Sequence, residues 1–224
     1  MARPKKYDHG YPSVTDICSI ANPFNPTWWY KATRKKLVEA GEDLNKVDPI
    51  EVCNSYKWDS QKIGHNVHKG IEMFLSGKPF DECSEGMVND QVVMLSYLVK
   101  WAKEKKLKPI AMEEPLYSHK HKFAGTPDVI GTLNGGKSLL VIDWKTDGVP
   151  RDKSAERERV AKYYWQLSAY ALAYEETFDV KVNKGYVVRA SKTLELNVYF
   201  FKSFTEGKAE FIQLRGIYKR VKGK

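Results

Sequence analysis

Apolar positions change period near residue 108, and that change divides the chain. Upstream the spacing is helical. The run from Asn25-Pro26 to Ala40-Gly41 predicts a helix, with Asn25 as its cap, Pro26 in its first turn and Gly41 at its exit. Ile63, Val67, Ile71, Phe74 and Leu75 form the stripe of a second helix over about 58–76, closed by Gly77-Lys78-Pro79. Val88, Val92, Leu95, Leu98, Val99 and Ala102 mark a third over 85–106. Downstream, 110–117, 124–133 and 138–145 read as strands, and Asn134-Gly135-Gly136 is a hairpin turn between the last two. A long helix over 155–177 follows, then strands over 181–190 and 194–202. Ser203-Phe204-Thr205-Glu206 has the spacing of a capping box opening a last helix, with Phe211, Leu214, Ile217, Tyr218 and Val221 as its stripe. The expected fold is α/β, a mixed central sheet flanked by helices behind a helical N-terminal section. It is read as a single domain over 1–224, mainly helical to 108 and mixed α/β from 109.

Composition narrows the class. With 224 residues, 42% hydrophobic and 12% aromatic, the chain can bury a core without staples, and disorder is excluded as its main state. No apolar run approaches the roughly 18–20 residues of a membrane span. The opening MARPKKYDHGYPS has lysines but no apolar stretch behind them, so no secretory signal is expected. Cys18, Cys53 and Cys83 are too scattered for a disulfide framework or a four-cysteine cluster, and they suit a reducing compartment. The expected location is the cytoplasm, that of a host cell if the source is viral. The net charge of +9 favours a polyanionic partner. It is uneven, with +2 over 1–63, 0 over 64–150 and +7 over 151–224.

The neutral middle holds the candidate chemistry. On a strand, Asp143 and Lys145 share a face and Trp144 points the other way into the packing. Leu139 and Val141 lie on the side of the acid and the lysine, Leu140 and Ile142 on that of Trp144. Asp128 stands one strand back across the hairpin. Two carboxylates beside a lysine suit a hard divalent cation, although a hairpin with an ordinary ion pair has the same spacing. Glu113 or Glu114 adds a carboxylate from the preceding strand; alternation allows one of them to face the site, not both. His68 and Glu72 share a helical face, where His68 is either a metal ligand or a packed residue; His65 and the His119/His121 pair are weaker candidates. Gln166 and Tyr170 also lie four apart, in the long helix, and can bond phosphate or sugar oxygens. Tyr163 and Tyr174 read as core. Arg151, Lys153, Arg157, Arg159 and Lys162 are either a solvated face or a rim that tracks phosphates.

Taken in order, Gly64-x-x-x-His68, Glu113-x-Pro-Leu, Gly125-x-x-Asp128, Asp143-x-Lys145 and Gln166-x-x-x-Tyr170 resemble the PD-(D/E)XK nuclease superfamily, in particular its RecB-type exonuclease branch. Tyr11-Pro-Ser-Val-Thr-Asp-Ile17 and Trp28-Trp29 are similar to phage and mitochondrial-maintenance members of that branch. The resemblance covers about residues 11–175. It implies a restriction-endonuclease-like core with the site at one sheet edge. It also implies Mg²⁺ or Mn²⁺ held by His68, Asp128, Asp143 and the main-chain carbonyl of Trp144. Glu113 would sit near a second metal or orient water, Lys145 would position or activate the attacking water, and Gln166 and Tyr170 would hold the DNA backbone. Asp147 and Thr146 extend the Asp-Trp-Lys-Thr run without an assigned role. Some relatives carry a four-cysteine iron–sulfur cluster; this chain lacks those cysteines, and none is expected. The partner implied is DNA, single-stranded or an end-containing duplex, with recombination or replication proteins alongside it and no membrane. The activity implied is exonucleolytic trimming of DNA ends, with an endonuclease or a non-catalytic DNA-binding subunit as alternatives. Trp28, Trp29 and Tyr30 are candidates for the wall of a strand channel.

Overall fold

The computed structural model describes residues 10–21, 26–44, 46–146, 148, 152–191, 193 and 195–223, without the side chains of 26–29. Asn25, Asp147, Arg151 and the side chains of Trp28 and Trp29 therefore lie outside the described residues. Helices α1 (Val14–Cys18), α2 (Pro26–Glu39), α3 (Pro49–Leu75), α4 (Phe80–Cys83) and α5 (Asn89–Glu104) come first. Strands β1 (Lys108–Met112), β2 (Leu116–Ser118), β3 (Phe123–Gly125), β4 (Val129–Thr132) and β5 (Leu140–Lys145) follow. Helix α6 (Lys153–Phe178), β6 (Gly185–Ala190), β7 (Leu196–Phe201) and α7 (Thr205–Lys222) complete the chain.

The main sheet has the order β1-β4-β5-β6-β7, and β2 and β3 form a separate pair. Every neighbouring pair in the main sheet is antiparallel except β5 and β6, which are parallel. That pairing requires a crossover, and α6 supplies it. Strand alternation sorts β5 between two cores. Val141 packs with α1, α6 and α7, whereas Ile142 and Trp144 pack with α3 and α5. The mixed sheet flanked by helices is the expected architecture, and the predicted division of faces is found for Leu139 and Val141 on one side and Ile142 and Trp144 on the other.

The turn at Asn134-Gly135-Gly136 forms as expected. Asn134 and Gly135 both have positive φ (52° and 72°), and Gly136 N–H donates to Leu133 O at 2.9 Å. Gly77, at φ 93°, ends α3.

Other expectations need correction. The second predicted helix starts at Pro49, not 58, capped by Asp48, whose carboxylate accepts from Ile50 N–H. The third starts at Asn89, so Val88 is its exposed cap residue and not part of its stripe. The predicted strand over 110–117 is broken where Glu113 takes φ 48° and Pro115 offers no N–H. The one over 124–133 is broken at Thr126-Pro127-Asp128 for the same lack of a donor. The strand over 181–190 begins only at Gly185, because Val182 N–H is taken by the Glu175 carboxylate. The capping box at 203–206 does not form. Phe204 is the cap residue of α7 without a side-chain bond, and Ser203 Oγ accepts from Thr205 N–H one step earlier. On α7 the packed face is Phe211, Leu214 and Tyr218, with Ile217 and Val221 exposed. Arg215 is buried there, donating from Nε to Lys122 O at 2.9 Å.

Candidate metal centre and active site

Three elements bring the acidic groups together at the end of β5. Asp128 is the residue before β4, so the Val129–Ile142 pairing sets it opposite the Asp143 end of β5. Its Oδ2 accepts the Trp144 main-chain N–H at 2.6 Å, and its Oδ1 lies 3.3 Å from His68 Nδ1. Glu113 reaches the same place from the break after β1, where its N–H donates to Asp128 O at 3.1 Å. Ligand atoms of His68, Glu113 and Asp128 all lie within 4.8 Å of one another. Glu114 is exposed, so Glu113 is the one of the pair that faces inward. The left-handed φ at Glu113, not simple strand alternation, aims it there.

Asp143 lies on β5 beside this cluster, within electrostatic reach of Asp128 and His68. It is 3% exposed, forms an ion pair through Oδ2 with Lys145 Nζ, and accepts from Gln166 Nε2 at 3.0 Å. Gln166 Nε2 also donates to Tyr170 OH at 2.9 Å. The expected acid–lysine–glutamine–tyrosine set is thus contiguous, but Asp143 is not among the three residues, His68, Glu113 and Asp128, whose ligand atoms cluster. Lys145 Nζ also lies 5.7 Å above the Tyr163 ring. That contact makes Tyr163, read as core, a neighbour of the amine; its place three residues before Gln166 on the same helix was the available signal. His119 and His121 lie elsewhere, against Tyr11 and Glu176.

Two glycines of the motifs have a spatial reason. A Cβ on Gly64 would stand 3.0 Å from Thr146 Oγ1, so α3 closely approaches the end of β5 at that point. A Cβ on Gly125 would meet Tyr170 Cε1 at 2.6 Å and Val14 Cγ2 at 2.7 Å. Gly125→Ala should therefore push the Tyr170 ring off its place under Gln166 and cost about 1–3 kcal/mol by overpacking. The midpoint of chemical denaturation should fall; an unchanged midpoint would mean the ring has room to move.

Burial and mutual charge set the protonation states. Burial raises the Asp143 carboxyl to about 6, against the opposing charge of Lys145 and helped by the neighbouring Asp128. Burial also works against ionised Asp128, but the charge and hydrogen bond of His68, with Lys145 and the Trp144 N–H, outweigh it and hold the pKa down. For His68 burial lowers the pKa, and the Asp128 carboxylate more than reverses it. Burial pushes the Cys18 thiol up to about 12, so it stays neutral. Cys18 and Cys83 lie in different cores, and Cys53 donates to Thr33 Oγ1 on α2.

Imidazole nitrogen and carboxylate oxygens are a donor set for a divalent cation. The sequence profile of the PD-(D/E)XK nuclease superfamily matches residues 38–220. The chain belongs to the PD-(D/E)XK nuclease superfamily. Its fold and its His/Glu/Asp cluster accord with a metal-dependent nuclease of that superfamily. No curated protein sequence matches the chain. Among solved structures it is similar to a putative exonuclease from Eubacterium rectale, with 8% identity and a TM-score of 0.47 over 71% of this chain and 65% of that one. It is also similar to an alkaline exonuclease, LHK-Exo, from Laribacter hongkongensis, with 9% identity and a TM-score of 0.40 over 96% and 92%. Among the described residues, no helix is long and apolar enough to cross a membrane.

Proposed function

We propose that this PD-(D/E)XK protein is a Mg²⁺- or Mn²⁺-dependent deoxyribonuclease of the RecB-like exonuclease branch, trimming DNA ends in cytoplasmic replication, recombination or repair. The observation that supports it is the meeting of His68, Glu113 and Asp128 with the Asp143–Lys145 pair at one end of β5. The cation would be held by His68, Asp128, Asp143 and the Trp144 carbonyl, with Glu113 beside a second ion or a water. When bound, it supplies Lewis acidity toward the phosphate and the attacking water. The chain's own groups do the rest. Lys145 sets a positive charge where negative charge develops as water adds to phosphorus and the P–O bond breaks. Asp143 orients that amine, and Gln166 locks Asp143 Oδ1 while bonding Tyr170 OH. Gln166 and Tyr170 together position the DNA backbone. The chain works as one nuclease domain, because α3 of the helical section contributes His68 to a site built mainly on the sheet.

The test uses end-labelled single- and double-stranded DNA, linear and circular, with Mg²⁺, Mn²⁺ or EDTA. Linear DNA shortened only with metal, and circles left intact, support the exonuclease. Cut circles would make it an endonuclease on the same core. Binding without cutting under every condition would make it a non-catalytic DNA-binding subunit.

A further inference from the structure

The middle of α3 is bare. From Asn54 to Lys62 every residue is exposed, and Trp58 is 60% exposed among them. The core stripe of this helix, with Cys53, Val67 and Ile71, faces away from it. Trp58, Gln61, Lys62 and His65 follow at i, i+3, i+4 and i+7, so they form one ridge, and His68 is the next step along it. At 1.5 Å per residue, Trp58 stands about 15 Å along the axis from His68. Among the described residues Lys62 has no ion pair. Helix α2, joined to the start of α3 through Cys53 and Thr33, adds exposed Lys31, Arg34, Lys35 and Lys36 nearby.

An indole in water, in line with a free cation and leading into an acidic cleavage centre, fits a particular partner. We propose that this ridge of α3 is a landing for single-stranded nucleic acid, with Trp58 stacking on an unpaired base while Lys62 meets the backbone. The inference rests on the nuclease reading above and deepens it, since it selects the substrate class. At about 3.4 Å per stacked nucleotide, the base on Trp58 lies about four nucleotides from the phosphate at His68 and Asp128. A duplex keeps its base faces stacked on one another and offers none to Trp58. A protein partner is a poorer match, because the ridge around Trp58 is Gln61, Lys62 and His65, not a contiguous apolar patch.

The test is anisotropy with labelled oligonucleotides in EDTA, using the full chain and Trp58→Ala, Trp58→Phe and Lys62→Gln. Trp58→Ala should weaken single-strand binding about tenfold, leave blunt-duplex binding unchanged, and be largely rescued by Trp58→Phe. Its turnover on saturating single strands should equal that of the parent protein. Lys62→Gln should reduce the salt slope of binding by about one. Equal single-strand affinity for Trp58→Ala and the parent would overturn the inference and leave the nuclease reading standing. If the parent neither binds nor cuts any nucleic acid, the nuclease reading falls and takes this inference with it.

Discussion

Asp143→Asn should abolish cleavage, by at least a thousandfold, while making the metal-free protein more stable at alkaline pH. The first effect follows from the contacts. Asp143 is bonded to both Lys145 and Gln166, so its loss disturbs the amine and the Gln166–Tyr170 pair proposed to position DNA at once. The second follows from burial. The carboxyl has its pKa raised to about 6 from an ordinary 3.8, so the folded state holds its proton where the unfolded chain has released it. Stability therefore falls as pH rises from about 4 to about 6, and the deficit persists above that. At roughly 1.4 kcal/mol per unit the deficit reaches about 3 kcal/mol, an upper bound for a neutral amide to recover. Melting in EDTA at pH 8 checks it. A melting temperature below that of the parent would mean that the Lys145 ion pair outweighs the burial.

Cleavage and metal binding should both collapse on acidification through pH 6, where the proton competes with the cation. Asp143 takes up its proton near there. His68, raised above 6.5 by Asp128, must also lose a proton before its nitrogen can ligate. Below both values the apparent metal affinity should fall about a hundredfold per pH unit, as two protons are displaced together. Metal-free stability has the opposite dependence at His68. The charged His68–Asp128 pair stabilises the fold below pH 6.5 and that contribution is lost as pH rises through the raised value. Asp128, held low, keeps its contribution until pH falls below its ordinary 3.8. Calorimetric titration of Mn²⁺ in buffers of different ionisation enthalpy reads the proton count directly. A pH-independent affinity between 5 and 8 would place the metal on other groups.

What could be read beforehand was whatever depends on neighbours in sequence. Alternation along 139–145 put Asp143 and Lys145 on one face and Trp144 on the other, and the structure has that division. The Asn134-Gly135-Gly136 turn joins β4 to β5, and the pairing of Val129 with Ile142 puts Asp128 across from Asp143. The breaks at Glu113 and Pro127 were missed although Pro115 and Pro127 stood there, because the flanking apolar residues continue the strand pattern through them. The start of α3 was missed for the reverse reason. Asp48-Pro49 is a sound helix opening, but the segment after it has no apolar stripe, since little packs on it. The raised Asp143 pKa was beyond local reading, because the burial behind it is made by the tertiary packing around β5.

The central claim is that His68, Glu113, Asp128 and Asp143 gather around a divalent cation beside Lys145. Anomalous diffraction from Mn²⁺-soaked crystals tests it most directly. The expected result is a strong peak within ligand distance of Asp128 and His68, absent in Asp128→Asn. A fully occupied peak elsewhere, with this cluster empty in a preparation that cuts DNA, would contradict it.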